Sequence, residues 1–177
     1  MLFEKTVSRE TVFEGKVFEV EIKEITTPEG KTSHREIVKH NGGSCILPID
    51  KDGNCYLVKQ FRSPFEKVML EAPAGKIEKG EDPFDCVSRE ITEETGFVAD
   101  KIECVGSIVA TPGYCSEVIT LYIGTGLKYE GGNPDENEYI ATVKMPLKEA
   151  VKMADEGSIT DAKTQVLLYK AARRLGI

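Results

Sequence analysis

The segment 75–97, GKIEKGEDPFDCVSREITEETGF, constrains the fold more than any other part of the chain, because it marks both ends of one helix. Asp82 is suited to the N-cap and Pro83 to the first turn, while Gly96 is suited to the position just past the C-terminal end. These signals predict a helix over about 83–95. The chain must therefore enter and leave this helix at defined points.

The residues of this predicted helix separate into a buried stripe and an acidic flank. At about 100° per residue, a narrow stripe should face the core, formed by Phe84, Val87, Ile91 and Thr95. Glu90 and Glu94 lie together on one flank of that stripe, with Glu93 further round the helix. We expect these carboxylates at the edge of the buried surface.

The acidic flank has two explanations. Glutamate-rich helices commonly present a solvated acidic face. However, two carboxylates about 4 Å apart at an effective dielectric constant near 20 repel each other by about 4 kcal/mol. A divalent cation would reverse the sign of this energy, and oxygen ligands suit Mg²⁺ or Mn²⁺ that is shared with substrate phosphates. The helix alone leaves both explanations open.

Composition limits the class of protein. With 177 residues and 40% hydrophobic composition, the chain can fill one core. Five cysteines without a CxxC motif argue against a disulfide framework or a zinc site, so we expect free, mostly buried thiols. The net charge of −7 makes a nucleic-acid-binding surface improbable. No apolar run approaches the roughly 20 residues of a membrane span, and the charged N-terminus does not resemble a signal peptide, so we expect a cytoplasmic protein.

Hydrophobic periodicity outlines the remaining elements. The first 40 residues alternate between polar and apolar side chains, which predicts an antiparallel hairpin region. More uniformly apolar strands from Cys45 onward suggest a sheet covered on both faces. Further strands are predicted near 102–110, 117–124 and 139–145, and helices near 147–155 and 162–175. The last helix should bury Leu167, Leu168, Ala171 and Leu175.

Nine positions of the acidic segment reproduce the spacing G-x5-E-x7-R-E-U-x-E-E-x-G-U, in which U is apolar. They are Gly75, Glu81, Arg89, Glu90, Ile91, Glu93, Glu94, Gly96 and Phe97. This pattern resembles the Nudix box. The stretches REIVKHNGGSCILPI, YLVKQFRSP and LEAPAGKIEKGE, with Pro112 fifteen residues after Phe97, are similar to the ADP-ribose pyrophosphatase subgroup. HNGG stands where that subgroup often has a proline-glycine pair.

The resemblance implies an α+β Nudix fold, an α/β/α sandwich with a mixed sheet, preceded by an N-terminal antiparallel region. It divides the chain into residues 1–40 and a Nudix domain over 41–177. It also implies metal-dependent hydrolysis of ADP-ribose to AMP and ribose 5-phosphate. The alternatives are hydrolysis of another nucleoside diphosphate derivative, such as a nucleotide sugar or dinucleotide, and a sensor that binds ADP-ribose without cleaving it.

The resemblance also implies roles for individual residues. Glu90 and Glu94 would be the main ligands of Mg²⁺ or Mn²⁺, supported by Glu93 and the Ala74 carbonyl. Arg89 would orient these glutamates, and Glu81 would fix the loop or assist a metal. The general base would be a glutamate of the late loop GGNPDENEYI, which offers Glu136 and Glu138; we favour Glu136.

Substrate contacts and assembly follow from the same resemblance. Arg35 and Arg62 would contact the diphosphate and nucleotide, Glu117 would lie near the terminal ribose, and Pro112 is the subgroup's marker residue. Members of the subgroup are usually homodimers in which the N-terminal sheet reaches the partner's active site. A sheet that covers its own subunit is the alternative.

Overall fold

The computed structural model describes residues 2–132 and 139–177. The chain divides into two compact units. The first comprises Met1–Gly42 and Val109–Val118, and the second comprises Gly43–Ile108 and Ile119–Ile177. The first unit thus contains a late segment, 109–118, in addition to the N-terminal region.

The first unit is an antiparallel sheet of three strands in the order β1-β2-β3. The strands are β1 Lys5–Glu14, β2 Glu19–Thr26 and β3 Thr32–Lys39. The late segment is tied to β3 through Val38, whose N–H donates to the Tyr114 carbonyl at 2.7 Å and whose carbonyl accepts from the Ser116 N–H at 2.9 Å. The predicted hairpin region is confirmed, with β1 as a further strand.

Among the residues that the structure describes, the second unit contains two sheets and three α-helices. Its mixed sheet has the order β7-β4-β9-β8, in which β4 and β9 are parallel, and its antiparallel sheet has the order β10-β5-β6. The strands are β4 Gly43–Pro48, β5 Asn54–Arg62, β6 Lys67–Glu71, β7 Ala74–Lys76, β8 Phe97–Ile108, β9 Ile119–Tyr129 and β10 Ile140–Pro146. The helices are α1 Pro83–Thr95, α2 Leu147–Asp155 and α3 Ala162–Leu175.

Strand β4 separates two hydrophobic clusters because successive side chains of a strand point to opposite faces. Ile46 packs in a cluster with Val87 and Ile91 of α1. Cys45 and Leu47 belong to the other cluster, which contains side chains of α2 and α3. All six residues of β4 are buried. This unit is therefore an α/β/α sandwich around a mixed sheet, which confirms the expected fold class.

The predicted bounds of all three helices are confirmed, but two side chains differ from expectation. Phe84 is 47% exposed instead of facing the core, since it lies in the first turn of α1 and meets the ring of Tyr122 edge-on at 6.4 Å. Leu175 is 54% exposed because it ends the last turn of α3. Both residues lie at helix ends, where the apolar stripe extends past its packing partners.

The cysteines agree with the sequence prediction. All five cysteines are free, and Cys45, Cys55 and Cys86 are buried, whereas Cys104 is exposed. Within the described ranges, no helix is both long enough and apolar enough to cross a membrane.

Candidate active site

Helix α1 begins and ends through the capping interactions that its sequence predicts. The Asp82 carboxylate accepts a hydrogen bond from the Phe84 N–H at 2.8 Å. At the other end Gly96 has φ 74°, and its N–H donates to the Thr92 carbonyl. A residue with a side chain would be strained in this left-handed conformation. These caps fix where the helix starts and therefore where its glutamates point.

The two central glutamates of α1 lie against strand β7. Glu90 and Glu94 are each 8% exposed, as expected for the edge of the buried stripe. Glu94 Oε2 accepts a hydrogen bond from the Ala74 N–H at 3.0 Å. The Glu90 carboxylate lies so close to Gly75 that a Cβ at this glycine would fall 1.7 Å from Glu90 Oε1. Glycine at position 75 therefore gives the Glu90 carboxylate its place beside the backbone.

The Arg89 guanidinium contacts three carboxylates, one of which is that of Glu90. Its Nη1 donates to Glu90 Oε1 at 2.7 Å and to Glu93 Oε2 at 2.8 Å. Its Nη2 and Nε lie 3.3 and 3.4 Å from Glu81 Oε1. Burial alone would lower the pKa of Arg89, but hydrogen bonds and charges from Glu90 and Glu93 raise it above the ordinary value. The guanidinium stays cationic and orients the glutamates.

Glu81 also fixes the loop before the helix. Its Oε2 accepts a hydrogen bond from the Glu78 N–H at 2.8 Å, while its Oε1 faces Arg89. One side chain therefore connects the loop backbone to the arginine of the helix. The loop-fixing role that the resemblance implies for Glu81 stays a prediction.

The donor chemistry of this cluster fits a hard divalent cation. Glu90, Glu93 and Glu94 supply carboxylate oxygens, which are the donors that Mg²⁺ or Mn²⁺ prefers, and Ala74 contacts Glu94 through its N–H. Arg89 alone contacts three carboxylates, which leaves more negative than positive charge among these contacts. Within the described ranges, no group of three or more His, Cys, Asp or Glu side chains is arranged as a metal site.

Arg62 lies in the second unit and forms an ion pair that the sequence did not predict. Its Nε and Nη2 donate to the two carboxylate oxygens of Glu71 at 2.7 and 2.8 Å. The Glu71 side chain is 3% exposed, whereas that of Arg62 is 37% exposed. One edge of the guanidinium is thus held by Glu71, and the Arg62 side chain stays partly exposed.

Three other predicted residues belong to the first unit. The Arg35 guanidinium pairs with Glu4, and its Nη1 donates to the His34 carbonyl at 2.8 Å. Glu117 Oε1 lies 3.5 Å from His40 Nδ1. Pro112 is exposed in a turn. Both glutamates proposed as the base, Glu136 and Glu138, lie outside the described residues.

The family of the chain follows from its sequence and from this loop-helix arrangement together. The NUDIX domain model matches residues 39–170. The chain belongs to the Nudix family. It is therefore a Nudix hydrolase, from a family whose enzymes typically use divalent metal ions and act on nucleoside diphosphate substrates.

Similar proteins agree with this assignment. The Nudix chain is 38% identical over 165 residues to the ADP-ribose pyrophosphatase of Bacillus subtilis, covering 92% of this chain and 89% of that protein. It has the same identity and coverage with the methanol dehydrogenase activator of Bacillus methanolicus. A crystal structure described as an ADP compounds hydrolase superposes with a TM-score of 0.86 over 99% of this chain and 96% of that one, at 21% identity. That likeness shows the fold.

Proposed function

We propose that this protein hydrolyses ADP-ribose to AMP and ribose 5-phosphate with the help of Mg²⁺ or Mn²⁺. The observation that carries the proposal is its 38% identity, over 92% of the chain, to a protein named ADP-ribose pyrophosphatase. The burial of Glu90 and Glu94 beside β7 supports it, because a solvated acidic face would not place two glutamates at 8% exposure.

The reaction in this proposal is in-line attack of water on one phosphorus of the diphosphate. The cation would be held by Glu90 and Glu94, with Glu93 and the Ala74 carbonyl in support. When bound, it would supply positive charge against the phosphate oxygens and acidify the attacking water. Arg89 keeps Glu90 and Glu93 in place through hydrogen bonds from one nitrogen.

The water must also lose a proton during the attack. We assign this step to Glu136, with Glu138 as the alternative, because the resemblance to the ADP-ribose pyrophosphatase subgroup implies a glutamate base in the late acidic segment GGNPDENEYI. Either carboxylate would need to come within hydrogen-bond distance of the water in the substrate complex. Comparing the Gln variants at the two positions would assign the base.

Substrate recognition in this proposal uses cations, because a chain with net charge −7 must attract an anionic diphosphate through local positive groups. Arg62 and Arg35 would contact the diphosphate and nucleotide. Glu117, which like Pro112 belongs to the late segment of the first unit, would accept hydrogen bonds from the terminal ribose.

Two other functions remain as alternatives. The acidic cluster and a cation would engage the diphosphate alone, so the flanking residues decide between ADP-ribose and a nucleotide sugar or dinucleotide. The name of the second relative, an activator of methanol dehydrogenase, specifies no substrate. A sensor that binds ADP-ribose without cleavage is the alternative outside enzymes.

A substrate panel tests the proposal. Purified protein is incubated with Mg²⁺ and, separately, ADP-ribose, ADP-glucose, NADH, diadenosine polyphosphates and oxidised nucleoside triphosphates, and the products are separated by chromatography. We expect AMP and ribose 5-phosphate from ADP-ribose at the highest kcat/KM, no reaction in EDTA, and recovery when Mg²⁺ is restored. If another substrate is cleaved faster, that compound replaces ADP-ribose as the proposed substrate. If calorimetry shows that ADP-ribose binds but no AMP is released, the sensor is supported.

A further inference from the structure

A buried ionic cluster lies where β6 meets the start of α3. Glu71, 3% exposed, accepts hydrogen bonds from Arg62 and from Lys163. Lys163 also contacts Asp161 Oδ1 at 2.9 Å. The cluster holds two cations and two carboxylates, so its formal charges balance. Arg62 is its most exposed member, at 37% against 16% or less for the other three.

The Arg62 side chain runs along its own strand towards Glu71. In the register of β5 and β6, Arg62 lies opposite Lys67, while Glu71 lies opposite Val58, four residues earlier on β5. Since alternate residues share a face of a strand, Val58 and Arg62 point to the same side. The Arg62 side chain therefore lies back along its own strand to meet Glu71 with two parallel hydrogen bonds.

This geometry leaves part of the guanidinium available. An arginine has five N–H donors in a planar fork, and two of them are used on Glu71. The other three donors are not used on Glu71, and the Arg62 side chain as a whole is 37% exposed. A planar fork suits two phosphate oxygens, and holding it beforehand lowers the entropy lost on binding.

The cluster keeps Glu71 ionised. Burial alone would raise the pKa of Glu71, but hydrogen bonds from Arg62 and the charge of Lys163 hold it at about 2. The same region is tied to the Nudix box, since Thr164 Oγ1 accepts a hydrogen bond from the Ala72 N–H at 2.7 Å and Ala74 donates to Glu94. Glu71 thus lies on the chain segment that leads into the site.

We propose that Glu71 is a positioning residue for Arg62: its buried carboxylate, which also binds Lys163, fixes the guanidinium so that its free N–H groups meet the diphosphate of the substrate. This inference rests on the proposed function, in which Arg62 contacts that diphosphate. The competing explanation is that the cluster serves stability alone by attaching α3 to β6.

A double-mutant cycle separates the two explanations. kcat/KM and the Kd for ADP are measured for wild type, Arg62→Ala, Glu71→Gln and the double variant. We expect each single substitution to lower kcat/KM at least about tenfold, mainly through KM, and to weaken ADP binding similarly. Because Glu71 acts through Arg62, the double variant should be no worse than Arg62→Ala. Losses that multiply in the double variant would overturn the proposal.

Two further variants keep the test decisive if Glu71→Gln folds poorly. Glu71→Asp retains the charge opposite Lys163 but withdraws the carboxylate from the fork, and Arg62→Lys retains the charge but not the fork. Both variants should lose at least about fivefold in kcat/KM, because each keeps the charge but loses the orientation of the guanidinium fork. Wild-type kinetics in either would overturn the proposal. The matched control is Glu103→Gln, which removes the surface pair with Arg174 and should leave kcat/KM within about twofold.

The cycle also distinguishes failure of this inference from failure of the proposed function. If wild type cleaves a different nucleoside diphosphate, the substrate assignment fails, and the cycle is run on that substrate. The Kd for ADP gives the cycle a result even without turnover. Multiplying losses in Kd or kcat/KM refute the role of Glu71 whichever substrate is cleaved.

Discussion

At the scale of single residues, the second unit places carboxylates beside arginines in two different ways. Glu71 meets two cations, Arg62 and Lys163, and its charge is matched locally. Arg89 instead meets three carboxylates, those of Glu81, Glu90 and Glu93. A cluster in which positive and negative charges balance suits a structural or positioning role. A cluster with more carboxylates than cations suits a site that binds a metal cation.

Glu94→Gln tests the role of the acidic cluster directly. The amide oxygen can still accept the Ala74 hydrogen bond, so folding should survive, but the negative charge is lost. We expect kcat to fall at least about a hundredfold at saturating Mg²⁺, with little change in Tm. The matched control is Asp85→Asn, an exposed acidic residue of the same helix, which should retain activity. Unchanged turnover in Glu94→Gln would refute the assignment.

The pH dependence of stability tests the Glu71 cluster. The pKa of the Glu71 carboxyl is about 2 in the folded protein, against an ordinary value of 4.5. A lowered pKa stabilises the fold fully above pH 4.5, and this contribution disappears as pH falls towards 2. We expect wild type to exceed Glu71→Gln by about 3 kcal/mol in unfolding free energy at pH 7, with the difference shrinking below pH 4.5. Urea titrations at pH 7, 4.5 and 3 measure the difference in unfolding free energy between the two proteins. A difference that stays constant with pH would contradict the prediction.

At the scale of elements, the candidate site depends on how closely β7 approaches α1. Strand β7 has three residues and pairs with β4, so its backbone is fixed by the mixed sheet. The caps of α1 fix the helix independently. The Glu90 carboxylate occupies the space between these elements that the missing side chain of Gly75 leaves.

Gly75→Ala should therefore act through Glu90. The new methyl group would overlap the Glu90 carboxylate, with contacts of 1.7 Å to Oε1 and 1.9 Å to the carboxyl carbon, while no close backbone atom is among its three nearest neighbours. We expect the flexible side chain to swing away, with at least about a tenfold loss in kcat and a small change in Tm. In a Glu90→Ala background, Gly75→Ala should lower kcat little further. A full additional loss there would show that Gly75 acts through other contacts.

Helices were easier to predict than strands because their ends are encoded locally. Asp82, Gly96 and the apolar stripes place the three helices at their observed bounds. Strand β8 begins at Phe97 instead of near 102, since residues 97–101 pair with 125–129 of β9, and the polar pair Asp100 and Lys101 disguises this extension. Pairing between distant strands has no signal within either strand.

The same distinction applies to the candidate site. The box glutamates and Arg89 are recognisable because their spacing lies within 23 residues of sequence. The pairing of Arg62 with Glu71 depends on the register of β5 and β6, and the closeness of Gly75 to Glu90 depends on packing between elements. Lys163 joins its partner from 92 residues away. Such contacts follow from tertiary structure and could not be read from spacing.

At the scale of the whole molecule, the first unit presents an apolar surface on strand β1. Val7, Val12 and Phe13 are each at least half exposed, together with Leu2 and Phe3 before the strand. A concentration of large exposed apolar side chains on one element commonly marks a protein interface. This surface supports the proposed homodimer, in which the N-terminal sheet of one protomer reaches the partner's active site.

The dimer is tested by mass and activity together. Analytical ultracentrifugation of wild type should give twice the monomer mass of 19.5 kDa. The double variant Val7→Glu/Val12→Glu places two charges on β1 and should shift the protein to monomers, because burying unpaired carboxylates is unfavourable. If the sheet completes the partner's site, kcat/KM should fall at least about tenfold in the same variant.

The control for this experiment is Val68→Glu, the same change on an exposed position of β6 in the second unit, which should leave the mass unchanged. A monomeric wild type with full activity would contradict the dimer and favour a sheet that covers its own subunit. If the Val7→Glu/Val12→Glu variant stays dimeric and fully active, the interface does not involve these residues of β1. Loss of activity that follows loss of dimer across a protein-concentration series would tie catalysis to assembly, because mass action then sets both.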